Sequence, residues 1–493
     1  MELQFSKSSF AYLQRVAWEI KNEEQTQEVK LLDSLPDIGR VLGAWGQPIV
    51  RSKEWHDSSM GVSGGVMVWI LYAPEEGGAP KCVETWIPFQ LQWEFPQTQH
   101  DGTIRVDCLL KGVDARSVSA RKMMVRTVVS VAGEALEQVQ QELYQSEVVP
   151  EDVQLLRKQY PIRLAKEAGE KVITLDEEFS ANCGPVRKVI RCSIQPEVTD
   201  QKIMADKLVF RGNAVVHMLC ECEDEAITTC DFEIPYSQYA ELEREYDPYA
   251  TADVIPAVTN VELDILEDGK LRLKAGIVGQ YVVYDRPVIE IVADAYSTKR
   301  TVLPKGQRLE LPAVLDSWQE VIRVEAQQEQ ETEAVLDVTL TMSQPILSRM
   351  QAKTQIEIPG SFQFLRSDGA ESLSGGNLRW TAESATMVDE SASLLSRCHP
   401  KGKPNASGTA VVCEIQLDTT VTAVTDIPMV TALELGEMTE PDATRPSMIL
   451  RYMGNDSLWE IAKASCSTVD TIKEANGITE EPTGNPMLLI PVL

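Results

Sequence analysis

Two segments of this chain carry the same marks in the same order, and that recurrence limits what the chain can fold into. Asp37-Ile38-Gly39-Arg40-Val41-Leu42 opens one segment and Pro185-Val186-Arg187-Lys188-Val189-Ile190 opens the other. Gly64 and Gly212 follow, 23 residues after Val41 and Val189. Each glycine begins a run that reads as a strand, Val66-Met67-Val68-Trp69-Ile70-Leu71-Tyr72 in one and Ala214-Val215-Val216-His217-Met218-Leu219-Cys220 in the other. A third strand then carries Trp86-Ile87-Pro88-Phe89 or Glu233-Ile234-Pro235-Tyr236. Alternating Val, Ile and aromatic residues are the pattern of sheets with one buried face. A repeat with a period of about 130 to 150 residues predicts a string of β-rich, sandwich-like units.

A third, more divergent copy is expected to open at Trp318-Gln319-Glu320-Val321-Ile322-Arg323. Its glycine-strand slot is filled by Ile358-Pro359-Gly360-Ser361-Phe362-Gln363-Phe364, about sixteen residues late for the repeat period. The Ser374-Gly375-Gly376-Asn377 turn and the loop at 405–408 interrupt this copy. Leu271–Val283 and Met123–Val131 read as further strands. Helical signal falls on Phe10–Gln25, read as an N-terminal helix within 1–26, and on Glu134–Tyr144, read as a connector. The expected division is 27–150, 151–300 and 301–436 for the three β units. A polar, proline-bearing linker follows at 437–446, and then a small α+β module at 447–493. The fold class is therefore mainly β.

A formal charge of −29 makes nucleic acid a poor partner, because phosphate binding needs clustered Lys and Arg. It also disfavours anionic membranes and bare wall polymers. The first residues show no charged-then-apolar leader, and no run approaches the roughly twenty apolar residues of a membrane span. Ten cysteines in this length fall short of a disulfide scaffold. Cys220, Cys222 and Cys230 match zinc-ligand spacing poorly and read as strand residues in a reducing compartment. No metal or other cofactor is expected.

The last fifty residues have a different texture. Leu450-Arg451-Tyr452-Met453 forms a first strand and Gly454-Asn455 turns the chain. Asp456 or Ser457 caps a helix with Leu458, Ile461 and Ala462 on its core face. Trp459 covers the core edge or lines a surface. Ser467 or Thr468 caps a second helix with Val469, Ile472 and Ala475 as its apolar stripe. Asn476-Gly477 stops it, and Leu488-Leu489-Ile490-Pro491 makes a returning strand. The predicted order is strand, helix, helix, strand.

Asp456-Ser457-Leu458-Trp459-x-Ile461-Ala462, Ala475-Asn476-Gly477 and the Leu489-Ile490-Pro491 ending together resemble the LysM family. The resemblance implies a shallow groove for N-acetylglucosamine polymers. The loops that form it correspond here to Gly454, Asn455, Asp456, Ser457, Leu458 and Trp459, and to Asn476, Gly477, Ile478 and Thr479. The family has Gly directly before Asp; here Asn455 puts a side chain where backbone approaches ligand. Six acidic and three basic residues between 447 and 493 favour a protein partner over an anionic wall.

The glycine-led strand and the Ile-Pro-Phe or Ile-Pro-Tyr segment resemble SPOCS domains of sporulation proteins. Tandem SPOCS units before a terminal LysM module are the layout of the SipL-like spore coat morphogenetic family. That resemblance implies a mother-cell protein at the forespore surface. It also implies docking of the LysM module onto the coat-basement ATPase, stage IV sporulation protein A (SpoIVA). Binding of peptidoglycan glycan in the cell wall or spore cortex is the alternative.

An enzyme is not expected. His56, His100, His217 and His399 are far apart, and no nucleophile elbow, His-Glu-x-x-His or Walker loop is present. Gly61–Gly65 enters a strand and lacks the lysine of a phosphate loop. The acid-rich stretch Tyr236–Asp247 reads as a solvated face.

Overall fold

Burial alternates along most of this chain with a period of two, and in the computed structural model those stretches are strands. The structure describes residues 2–98, 100–145, 149–181, 184–223, 226–267, 269–327, 335–367, 373–407, 409–439 and 445–493. Among the described residues the two helices both lie beyond residue 457, and neither is long and apolar enough to cross a membrane.

The chain starts with β1 (Glu2–Gln4) and β2 (Ser6–Lys30). β3 (Ile38–His56), β4 (Ser59–Pro74) and β5 (Lys81–Glu94) form an antiparallel meander. β6 (Thr103–Ser119) and β7 (Lys122–Gln145) follow, with β7 between β2 and β6. The sheets β3-β4-β5 and β2-β7-β6 enclose a core that includes Val66, Val68, Ile70, Trp93, Val125 and Val129.

The same pairing order then recurs. After β8 (Val153–Pro161) come β9 (Leu164–Phe179), β10 (Val186–Met204), β11 (Lys207–Cys222) and β12 (Ile227–Glu241). β13 (Thr251–Ile265) and β14 (Leu271–Asp285) complete sheets β10-β11-β12 and β9-β14-β13. β15 (Val288–Ser297) pairs with β8 as a separate two-stranded ribbon. The third set is β16 (Arg300–Gln327), β17 (Val335–Met342), β18 (Ile346–Met350), β19 (Lys353–Ser367) and β20 (Leu373–Met387), closed by β21 (Ala392–Ser407) and β22 (Ala410–Met438). β17 and β18 share one side of β19, and β22 lies between β16 and β21. β1 pairs with the far end of β22, so the start of the chain is fastened to the third unit.

The repeated glycines lie inside strands, not at their starts. Gly64 and Gly212 are each the sixth residue of β4 and β11. Each faces an aromatic ring on the next strand: Phe89 opposite Gly64, Tyr236 opposite Gly212 and Trp380 opposite Gly360. On the other side the preceding strand bulges, between Val50 and Ser52 and between Val198 and Asp200. The bulge pushes a carbonyl inward, so a Cβ at Gly64 would lie 2.1 Å from the Ile49 oxygen and one at Gly212 1.8 Å from that of Glu197. In the third unit the bulge becomes a break: β17 ends opposite Gly360 and β18 resumes opposite Glu357.

The opening stretch expected for unit three falls on a different strand from those of the other two units. Trp318–Arg323 lies within β16, the counterpart of β2 and β9. The counterpart of β3 and β10 is β17, and Gly360 follows Gly212 by 148 positions, the same spacing as from Gly64 to Gly212. The glycine strand is on time. The Ser374–Asn377 turn is strand as well; Gly375 sits where a Cβ would come 1.9 Å from the Leu42 carbonyl of unit one. Of the 405–408 loop, Asn405 to Ser407 end β21 and Gly408 lies outside the described residues, as do 440–444 of the linker.

Neither expected helix in the first unit forms. Phe10–Gln25 lies in β2 and Glu134–Tyr144 in β7, and the two are partners in one ladder, with Phe10 opposite Gln141 and Trp18 opposite Glu134. Both segments are rich in Glu, Gln, Ala and Leu, good helix formers, but pairing along 24 residues outweighs that local preference.

The three units share cores as well as owning them. Leu42, Trp45, Trp69 and Leu71 of the first pack with Ile190 and Leu219 of the second and Leu365 of the third. Beside this apolar contact runs a polar seam. Arg105, 1% exposed, donates to Glu134 at 3.0 Å within its own unit and to Asp253 of the second at 2.6 Å. Arg397 of the third unit also donates to Asp253. Burial pushes the Asp253 carboxyl up, but the two guanidiniums hold it well below the usual carboxylate range. Arg191 of the second unit donates to Asp337 of the third at 2.7 Å and lies over the Trp45 ring of the first. Fully buried Gln280 pairs with both backbone groups of Val106 across the seam, at 2.9 and 2.8 Å, as a strand residue would. The three units surround a cavity of about 1130 Å³ lined by β3, β6, β10, β13, β17 and β21.

Gly212→Ala should lower stability by about 1–3 kcal/mol, because the Cβ meets backbone that cannot move aside. The readout is the urea midpoint of unfolding; an unchanged midpoint would show that the chains do not approach this closely.

Candidate functional site

The C-terminal module forms from strong local signals. β23 (Met448–Tyr452) and β24 (Met487–Pro491) pair antiparallel, and α1 (Leu458–Ala464) and α2 (Val469–Asn476) lie between them in sequence. Ser457, not Asp456, caps α1: its hydroxyl accepts from Glu460 N–H at 3.2 Å, and the Glu460 carboxylate accepts from Ser457 N–H at 2.8 Å. Thr468 caps α2, accepting from Thr471 N–H at 3.1 Å. Gly477, at φ 64°, ends it in the left-handed region that glycine tolerates. Leu458, Ile461, Ala462, Ile472, Leu488 and Ile490 make the core. Ala475, expected in the apolar stripe of α2, is exposed, and Val469 is half-buried.

Most residues of the two expected groove loops have internal work, and the bonds that tie down the first loop end on Asn485 and Glu481, beyond the second. Gly454 N–H donates to Asn485 Oδ1 at 2.7 Å and Leu458 N–H to Glu481 Oε1 at 2.8 Å, so the loop after β23 is tied to the segment before β24. Asn476 donates to the Ile472 and Leu489 carbonyls at 2.8 and 2.7 Å and accepts from Leu489 N–H at 2.8 Å. It staples α2 to β24. Leu458 is buried, Ile478 packs on the core, and Asp456 pairs with Arg451 at 2.5 Å. Asn455 and Thr479 stand exposed on the loops.

Trp459 does not face solvent as a free anchor. Its indole N–H donates to Asp294 of β15 at 2.8 Å, and its ring meets Tyr296 edge-on at 4.7 Å. Lys463, one turn on, reaches the same carboxylate at 2.8 Å. Tyr296 enters the module's core, and its hydroxyl donates to the Ser467 carbonyl at 2.9 Å. Burial raises the Tyr296 phenol to about 12. Burial also acts to raise Asp294, but Lys463 and the indole hold it below the usual carboxylate range. Residues 153–161 and 288–297 thus form a ribbon that carries the module. Sequence periodicity could not find Asp294 and Tyr296, because they lie more than 150 residues away.

Elsewhere, Cys220, Cys222 and Cys230 are buried in β11 and β12, two of them in the core of the second unit. Among the described residues no group of three or more His, Cys, Asp or Glu is arranged to hold a metal ion. His217 lies between Asp337, 2.8 Å away, and Asp231, on the polar seam. In the acid-rich stretch Leu242 and Tyr246 turn inward, while Glu241, Glu243, Glu245 and Asp247 are exposed.

Residues 185–266 match the family described as SipL, SPOCS domain. In this fold the match runs from the start of β10 to the end of β13, four strands of the middle sandwich. No curated protein and no solved structure matches the chain.

Asp294→Ala should release the module from the ribbon, seen as a larger radius of gyration by small-angle scattering. Docking lowers the Asp294 carboxyl, so its contribution is complete above about pH 4 and is lost as pH falls through the lowered value. The wild-type chain should therefore expand in the same way in acid but not between about pH 6 and 8. An unchanged radius in the variant at neutral pH would show that other contacts suffice.

Proposed function

We propose that this chain is a non-enzymatic morphogenetic adaptor in spore coat or envelope assembly. Its 447–493 segment acts as a LysM module and docks onto a SpoIVA-like coat-basement ATPase at the forespore surface in the mother cell. The observation that carries the reading is the likeness of residues 185–266 to the SipL SPOCS domain. The recurrence of that segment's strand order on either side supports it, since a row of SPOCS-like units would give this topology. So does the strand-helix-helix-strand order at the C-terminus, the order of a LysM module.

A protein partner is the better occupant of the module. Asp456 and Glu481, beside the two loops, are acidic, and the module holds twice as many acidic as basic residues. Glycan binding remains the second reading, favoured by the strand-helix-helix-strand order that the module shares with LysM modules. The chain would work by binding: the β units present surfaces and spacing, and the module holds the partner.

The test is pull-down with the purified ATPase. The full chain should retain it and a chain lacking 447–493 should not. Retention by the truncated chain would remove the module from the docking role, and saturable micromolar binding of chitin oligomers to the full chain would favour the glycan reading.

A further inference from the structure

The two-stranded sheet of the module is apolar on both faces, and only one face has a core to cover. Leu488 and Ile490 point into that core, with Ile449 packed against it. On the opposite face the register sets Met448 beside Pro491, Leu450 beside Leu489 and Tyr452 beside Met487. Met448, Leu450, Tyr452 and Met487 are between 48% and 63% exposed. A scattered exposed Leu needs no explanation; a contiguous strip of Met, Leu and Tyr on an edge sheet does.

We infer that this outer face of β23 and β24, rather than the groove loops, is where the module's partner seats. The inference rests on the docking reading above and deepens it. The occupant is a different protein whose apolar strip is flanked by Lys and Arg, not a second copy of this chain. The four side chains present roughly 300–400 Å² of apolar surface, the size of a functional patch on a monomer. Area does not separate the possible occupants, because any partner on this strip covers the same surface, but charge does: a second copy would bring a further −29. The same charge attracts a basic partner, and within the module six acidic residues stand against three basic ones, two of which, Arg451 and Lys463, are already paired with Asp456 and Asp294. The groove residues are poor competitors for the role, since Leu458, Trp459 and Asn476 hold the module together or to the ribbon.

The experiment uses the full chain and the purified coat-basement ATPase as probe. Leu450→Asp with Tyr452→Ser, both on the outer face, should weaken binding at least about tenfold, as loss of central anchors does. Asn455→Ala with Thr479→Ala, in the loops, should leave it within about twofold. Raising salt from about 50 to 500 mM should weaken wild-type binding, because the attraction is between opposite charges. Met487→Ser provides a milder face variant should the double variant melt early. The inference is overturned if the loop variant loses binding while the face variants keep it. Salt-independent binding, or a concentration-dependent dimer of the full chain that the face variants abolish, would also overturn the choice of partner. If the chain lacking 447–493 binds as well as the full chain, the docking reading itself fails, a result distinct from loss of the face alone.

Discussion

Asp253 is the group on which the packing of the three sandwiches turns. It accepts from Arg105 of the first unit and Arg397 of the third while belonging to the second, and Arg105 is almost wholly buried. A charge placed there tolerates few alternatives. Without Asp253, buried Arg105 keeps Glu134 but loses its second carboxylate, a penalty of about 1–3 kcal/mol. Misdocked units would meet the same penalty, so the site selects one arrangement of surfaces that apolar contact alone would leave slippery. Arg191 with Asp337, and Gln280 with the Val106 backbone, act in the same way at other points of the seam.

The rest of the architecture follows from that selection. Once the units are fixed, β1 can reach β22 and clip the first unit to the third. The ribbon of β8 and β15 packs against the third unit through Val153, Val292 and Ala295 among Val430, Leu433 and Leu435. That ribbon then offers Asp294 and Tyr296 to the C-terminal module. The module is therefore held by one helical face, which leaves its sheet on the outside. A small module with an apolar outer face would be a liability on a loose tether; held against a large acidic body, it becomes a directed surface.

Much of this was legible in the sequence, and the failures have physical causes. The β class and the strands at 123–131 and 271–283 came from period-two alternation, a local property. The caps of α1 and α2 were narrowed to adjacent residues because capping depends on a few neighbouring atoms. The two false helices, Phe10–Gln25 and Glu134–Tyr144, are each other's partners across more than 100 residues, and local propensity contains no term for that pairing. The opening stretch of unit three was set on β16 because a bulge had become a break, which removed the continuous strand that marks the other two. In the candidate site, the internal roles of Trp459 and Asn476 depend on Asp294, Tyr296 and Leu489, contacts no motif records.

The central claim is that three β units form one body through a buried polar seam. Hydrogen exchange on the full chain tests it most directly at Val106 and Ile194, whose N–H groups donate across the seam to Gln280 and Gln47 at 2.9 Å. If the units are one body, these amides exchange as slowly as those in the strand centres of the sandwiches, through global opening. Exchange at the rate of free strand edges, with the sandwich interiors still protected, would mean that the units are independent beads and would contradict the account.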